Sequence, residues 1–378
     1  MYQEYFSEDH RIFRDSVRRF VEKEIKPHIE EWEEQEQFPL ELYKKAADAG
    51  FQGLEYPEEY GGTPCDKFMI IAYIEEFVRH SGSTGLFSGL SSHTIAMPPV
   101  RNLGTAEQKQ RFLAPVLRGE KVAALGITEP NAGSDVANIR TRAVRDGDCY
   151  RVNGSKTFIT SGTRANFITT AVRTGGPGHK GVSLLLIDSA TPGFTVAKKI
   201  SKMGWHSSDT AELSFEDCLV PVENLLGAEG DGFRGIMINF QNERLSLAVQ
   251  AHATAQLALE ESIKYAKTRE AFGTTLSGFQ VIRHKLVDMA TKVEASKEFN
   301  YRVAARMEAG MDVAREVSMA KNFACEICDK VVFDAVQIHG GYGYAREYVV
   351  ERLYRDSRIL SIGGGTTEIM KEIISKMM

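Results

Sequence analysis

Apolar residues between Glu8 and about Gly119 recur at helical spacing, as in Ile12, Phe13, Val17, Phe20, Val21 and Ile25. Breaks fall at Pro27, Pro39, Pro57 and Pro98-Pro99, so a set of helices is expected there. From about Val122 to Val222 the texture changes to short β-rich runs such as Phe167 to Val172 and Val182 to Ile187. Turn signals at Asp146-Gly147, Asn153-Gly154 and Gly175 to Gly178 separate them. The connections are too short for crossover helices, which predicts antiparallel pairing. After Pro221 there is no proline, and Phe233 to Lys267, Phe279 to Ala309 and Val313 to His339 carry unbroken helical periodicity. The expectation is a multi-domain α+β chain: an N-terminal helical domain (1–121), a central antiparallel β domain (122–231) and a C-terminal four-helix bundle (232–378). A cofactor cleft is expected where the layers meet.

Charge excludes more than it suggests. With 46 basic and 51 acidic residues among 378, the net charge is −5, and no Lys/Arg block marks a nucleic-acid or membrane partner. No run reaches the ~18 apolar residues of a membrane span, so no membrane insertion is expected. Met1 to Asp9 lacks a basic region followed by an apolar run, which gives the expectation of a cytoplasmic protein or a processed organellar form. Five scattered cysteines fit a reducing compartment, and the lone Cys325-x-x-Cys328 sits in a helical pattern, so it is read as packing rather than a metal or redox site. Gly230-Asp231-Gly232-Phe233-Arg234-Gly235 matches GxGxxG but lacks the βαβ unit that motif requires, and is read as a flexible lead-in to a helix. Walker, HExxH and GxSxG patterns are absent.

Two segments carry candidate chemistry. On the helix beginning near Gly232, Phe233, Ile236, Met237, Phe240 and Leu247 form an apolar stripe, and Glu243 lies on it. Burial raises a carboxylate's pKa, as a general base for a weakly acidic carbon proton requires; a buried Glu paired with a neighbouring cation is the alternative. The second segment, Ser361 to Glu368, places Gly363-Gly364-Gly365 directly before a terminal helix, where backbone amides can approach a ligand closely or simply make a turn.

Several motifs, in order, resemble the acyl-CoA dehydrogenase family. Thr128-Glu129-Pro130-Asn131-Ala132-Gly133-Ser134-Asp135 is similar to its TEPxAGSD signature, and Asn153 to Thr160 to its NGxKxxIT strand. Ser208-Asp209-Thr210 through Val220-Pro221, Arg269 to Gly273 with Gln280, and Gln337-Ile338-His339-Gly340-Gly341 complete the set. The resemblance implies FAD between the β domain and the bundle, usually in a homotetramer. Leu125, Thr128, Phe158 and Thr160 would then line the flavin, with Ser134 near flavin and substrate. Arg269, Phe272, Gln280, Gln337, Gly340 and Gly341 would hold the dinucleotide part, partly across a subunit boundary, with Thr366 and Glu368 also beside the cofactor. Gln241, Arg244, Gly364 and Gly365 would join Ser134 on the acyl-CoA side.

The commonest family pattern places the base at the position of Gly364, where this chain has no side chain. A minority, including isovaleryl-CoA and long-chain enzymes, places it on the long helix before an Arg, which Glu243-Arg244 matches. The resemblance thus implies removal of the α-proton by Glu243 and of the β-hydride by flavin, giving a trans-2-enoyl-CoA, with electrons passed to an electron-transfer flavoprotein. Long or branched acyl chains are expected because the glycines remove bulk near the α-carbon. An acyl-CoA oxidase using oxygen and a non-catalytic FAD or acyl-CoA-binding protein are the alternatives. Glu129 and Glu368 are rival carboxylates for the base.

Overall fold

The computed structural model describes residues 4–378, so Met1 to Gln3 of the amino-terminal stretch read above lie outside it. Helices α1 (Glu8–Glu24), α2 (Ile29–Glu34), α3 (Glu41–Asp48), α4 (Lys67–Ser81) and α5 (Thr84–Leu90) come first. Short helices α6 (His93–Ala96), α7 (Pro98–Leu103), α8 (Ala106–Gln108) and α9 (Ala114–Leu117) follow. Capping is local and sequence-encoded: Ser7 closes a capping box at α1, and Asp66 and Ser83 accept backbone N–H bonds at the starts of α4 and α5.

The middle zone forms one sheet from β1 (Ala123–Gly126), β2 (Arg142–Asp146), β3 (Cys149–Thr160), β4 (Phe167–Arg173), β5 (Val182–Asp188), β6 (Phe194–Lys199), β7 (Thr210–Pro221) and β8 (Leu225–Leu226). Its order is β6-β7-β3-β2-β4-β5-β8, with β1 beside β4. Most pairs are antiparallel, but β1 runs parallel to β4, and β2 meets β4 in a parallel bridge at Arg142 and Arg173. The expected antiparallel pairing thus holds for most of the sheet, and the contacts of β1 and β2 with β4 are the exceptions. The β2–β3 hairpin lies between β1 and β4 in sequence, so the chain reverses direction and returns without needing a crossover helix.

The last zone holds α10 (Gly232–Thr268), α11 (Gln280–Glu308) and α12 (Ala314–His339), with a small hairpin of β9 (Glu270–Ala271) and β10 (Thr274–Thr275) between the first two. Short helices α13 (Val349–Ser357) and α14 (Thr367–Ser375) complete the bundle against α12. At 37 residues, α10 spans roughly 55 Å and joins three cores. Ile236 packs with the β zone, Leu245 and Val249 with α1 and α4, and Leu247 with the bundle. The glycines at its start are tightly packed rather than a flexible lead-in. A Cβ at Gly232 would stand 2.5 Å from the Ser183 backbone, and one at Gly235 2.6 Å from Leu103 Cδ1. Small residues here let α10 lie directly on β5 and α7.

Candidate active site

Glu243 lies where the three cores meet on α10, one turn before Leu247. The turn before α14 faces it. Gly364 adopts φ +62°, and a Cβ built there would stand 2.6 Å from Leu247 Cδ1 and 3.2 Å from Glu243 Oε1. The carboxylate therefore occupies the space beside Gly364, so a helix residue and a loop position converge on one point. Among the described residues no hydrogen bond or ion pair reaches this carboxylate, so the neighbouring cations of the paired-Glu alternative act on it only through space. Burial pushes its carboxyl up, opposed through space by Lys321 and then Arg244.

Arg244 is buried, with its guanidinium carbon 5.3 Å from the centre of the Phe240 ring. Its buried Nε has no partner among the described residues, an unusual state that a bound polar group would relieve. Gln241 departs from expectation: its amide reaches out to Asp312 at 3.4 Å. Two residues before Glu243 on a helix is about 200° away, which turns Gln241 away from Glu243. Thr366 caps α14 by accepting from Ile369 N–H at 3.3 Å, while Glu368 is exposed in its first turn. Ser134 is exposed on the turn following Glu129.

On the β side, Leu125 lies in β1 and is partly buried, and Thr128 accepts the Thr157 N–H at 2.8 Å, which ties the TEP turn to β3. The β3–β7 register shifts between Lys156 and Ile159, and Phe158 takes φ +59° with 66% of its surface exposed. A positive φ is uncommon for so bulky a residue; the bulge aims the ring out of the sheet beside Thr160. Glu129 is fixed elsewhere: it accepts from Lys156 Nζ at 2.8 Å, Arg140 N–H at 2.6 Å and Thr141 N–H at 2.9 Å. Burial works against its charge, yet Lys156 and these donors hold its carboxyl below the usual range. Burial pushes the Lys156 ammonium down to about 8 despite Glu129. Glu129 is a structural carboxylate, unsuited to taking a proton from carbon.

At the far end of the bundle, Arg269, Gly340 and Gly341 line a cavity of about 540 Å³ together with Tyr265, His339 and Tyr342. The Arg269 guanidinium lies 5.6 Å from the Tyr342 ring centre, and Tyr265 stacks on His339 at 4.3 Å. Sequence reasoning missed these three rings, although Tyr342 and His339 flank the two glycines it selected. Phe272, Gln280 and Gln337 are exposed and do not line this cavity. Phe272, at φ +52° and 97% exposed, projects from the β9–β10 hairpin. No group of three or more His, Cys, Asp or Glu residues among the described residues could hold a metal, and none of the described helices is long and apolar enough to cross a membrane.

Models of the N-terminal, middle and C-terminal domains of acyl-CoA dehydrogenases match residues 7–120, 124–218 and 230–378. A solved structure of a probable acyl CoA dehydrogenase from Mycobacterium abscessus superposes with TM-score 0.97 at 52% identity, covering 99% of each chain. The caffeyl-CoA reductase-Etf complex subunit CarC of Acetobacterium woodii is 40% identical over 99% of each chain. A long-chain specific mitochondrial acyl-CoA dehydrogenase from Sus scrofa is 38% identical over 98% of this chain and 86% of that one. Solved relatives of the same fold carry FAD or its reduced form. The chain belongs to the acyl-CoA dehydrogenase family of FAD-dependent oxidoreductases.

Proposed function

We propose that this protein desaturates long or branched acyl-CoA thioesters between the α and β carbons, with Glu243 as the base. The observation that carries the reading is the unpaired carboxylate held against the Gly364 turn, its pKa raised by burial. A base of raised pKa suits a weakly acidic C–H better than an ordinary carboxylate does. The Gly364 backbone N–H is the donor assigned to the thioester oxygen, whose charge grows as the proton leaves; a backbone donor needs no side chain at that position. Arg244, with its unsatisfied Nε, orients the thioester side of the substrate.

The residues present fit FAD. Exposed Phe158 on its bulge, with Leu125, Thr128 and Thr160, offers a surface for the ring system, and Arg269 with Gly340 and Gly341 offers a cation and close backbone approach for phosphates. When bound, FAD supplies the acceptor for the β-hydrogen and two electrons. Phe272, Gln280 and Gln337 serve it from a neighbouring subunit of a homotetramer in this reading. The exposed Phe272 and the exposed Val281 and Val287 on α11 support such an assembly. An electron-transfer flavoprotein is the proposed acceptor, supported by the name of the Acetobacterium relative. Three glycines beside the base, which leave room at the α-carbon, and the name of the pig relative support long or branched acyl groups.

The test is an anaerobic absorbance titration of the holoprotein and Glu243→Gln with butyryl-, octanoyl-, palmitoyl- and isovaleryl-CoA. Bleaching of the parent alone, strongest with palmitoyl- or isovaleryl-CoA, is expected. Bleaching of both would remove Glu243 as base, and a butyryl optimum would sink the substrate class.

A further inference from the structure

Lys321, on α12, is fully buried, which lysine rarely tolerates without a partner. Its Nζ donates to the Gly365 carbonyl at 2.6 Å, its one hydrogen-bond acceptor among the described residues. The next residue, Asn322, donates from Nδ2 to the Thr367 carbonyl at 3.2 Å. Two consecutive side chains of α12 thus grip the turn that carries Gly364. That turn has φ +62° at Gly364 and φ +96° at Gly365, a backbone with many alternatives unless it is tethered. A Cβ at its Gly364 would stand 3.2 Å from Glu243 Oε1, so the turn also lies beside the carboxylate.

Lys321 and Glu243 therefore bear on adjacent residues of one glycine dipeptide, each buried or partly buried and neither, among the described residues, with an ion pair of its own. We infer that Lys321 is a positioning residue for the reaction: its ammonium pins the glycine turn against Glu243 and supplies the counter-charge that faces the base. The inference rests on Glu243 acting as proposed above.

The charged and titratable groups around the pair are few. Arg244 shares α10 with Glu243, and Cys325 lies one turn beyond Lys321 on α12. Lys321 ranks before Arg244 among the charges that hold the Glu243 carboxyl down against burial. Reciprocally, burial pushes the Lys321 ammonium down, opposed by Cys325 and Glu243. Only ionised Glu243 can accept the α-proton, so activity rises with pH through its titration. Removing the Lys321 charge raises that titration, and the acid limb must move to higher pH, by about one unit for loss of one nearby opposite charge.

Lys321→Arg, Lys321→Gln and Lys321→Met holoenzymes separate charge from tether. Gln keeps a donor for the Gly365 carbonyl without the charge, and Met keeps neither. The expected result is an acid limb of kcat/KM displaced upward by about one pH unit in both neutral variants and restored in Arg. Hydrogen exchange at the amides of residues 363–366, read without substrate, should quicken at least tenfold in Met and less in Gln. An unmoved acid limb in Gln overturns the counter-charge, and parental exchange in Met overturns the tether. A parent that no acyl-CoA bleaches would sink the proposed activity instead, with the exchange comparison still deciding the tether.

Discussion

Gly364→Ala probes the contact on which the site is built. Two costs follow from the structure. An L-residue at φ +62° costs about 1 kcal/mol more than glycine. The new Cβ would lie 2.6 Å from Leu247 Cδ1, far inside the ~3.5–4 Å of a normal carbon contact, so Leu247 must leave its packing in the bundle core. Because that atom is the end of a flexible side chain, the lower part of the overpacking range applies, about 1 kcal/mol. Together these predict a loss of about 2 kcal/mol, visible as a drop of about 2–5 °C in thermal unfolding. The methyl also lies 3.2 Å from Glu243 Oε1, so kcat should fall along with stability. Leu247→Ala on its own opens a cavity costing about 2–5 kcal/mol, but in the Gly364→Ala background it also relieves the clash. The double variant should therefore be more stable than the summed single losses by about 1 kcal/mol. Parental stability in Gly364→Ala, or strict additivity in the cycle, would refute the proposed packing of the turn on α10.

Glu129→Gln leaves Lys156 buried without its counter-ion, and should cost about 3–5 kcal/mol in thermal unfolding and loosen the bound flavin, read as free flavin after gel filtration. Asp356 is pushed up to about 7 by burial and by the Glu33 carboxylate, with one oxygen of each lacking a partner among the described residues. Its unfolded value is about 3.9, so the folded chain holds the extra proton between those values and stability is lost as pH rises through 7. Melting at pH 5.5 and 8.5 should show that loss in the parent and a smaller one in Asp356→Asn; parallel profiles would refute it. Phe272→Ser removes an aromatic ring that is 97% exposed in a single chain, and should lower both the flavin content and the molar mass measured by light scattering if a second subunit covers it.

Much of this architecture can be read from the sequence because the long helices are proline-free and periodic; α10, α11 and α12 begin and end within two residues of the expected stretches. Strand direction cannot be read in the same way. Alternation reports which face is buried, whereas the parallel β1–β4 pair depends on where the chain goes in the residues between. The α10 stripe was real but divided: Phe233, Ile236, Met237 and Phe240 pack toward the β zone and Leu247 toward the bundle, and Glu243 lies near the change of partner. Gln241, which the resemblance placed on the acyl-CoA side, instead points toward Asp312, since two helix positions are enough to turn a side chain away from Glu243.

The same stripe argument reaches a residue that sequence inspection passed over. On α12, Val317, Ala320, Ala324, Cys325 and Cys328 form a buried row, and Lys321 lies within it just as Glu243 lies within its own. A charge on an apolar stripe is costly wherever it occurs. Two such charges of opposite sign, on the two helices that pack against one glycine turn, offset part of each other's cost only if the turn holds them in place. In the proposed reading the glycines at 363–365 then have two tasks, leaving space for the acyl group and letting both base and counter-charge approach the turn. On that proposal a side chain at position 364 conflicts with a base on α10, because it would displace Leu247, crowd Glu243 and strain the turn whose carbonyl Lys321 holds.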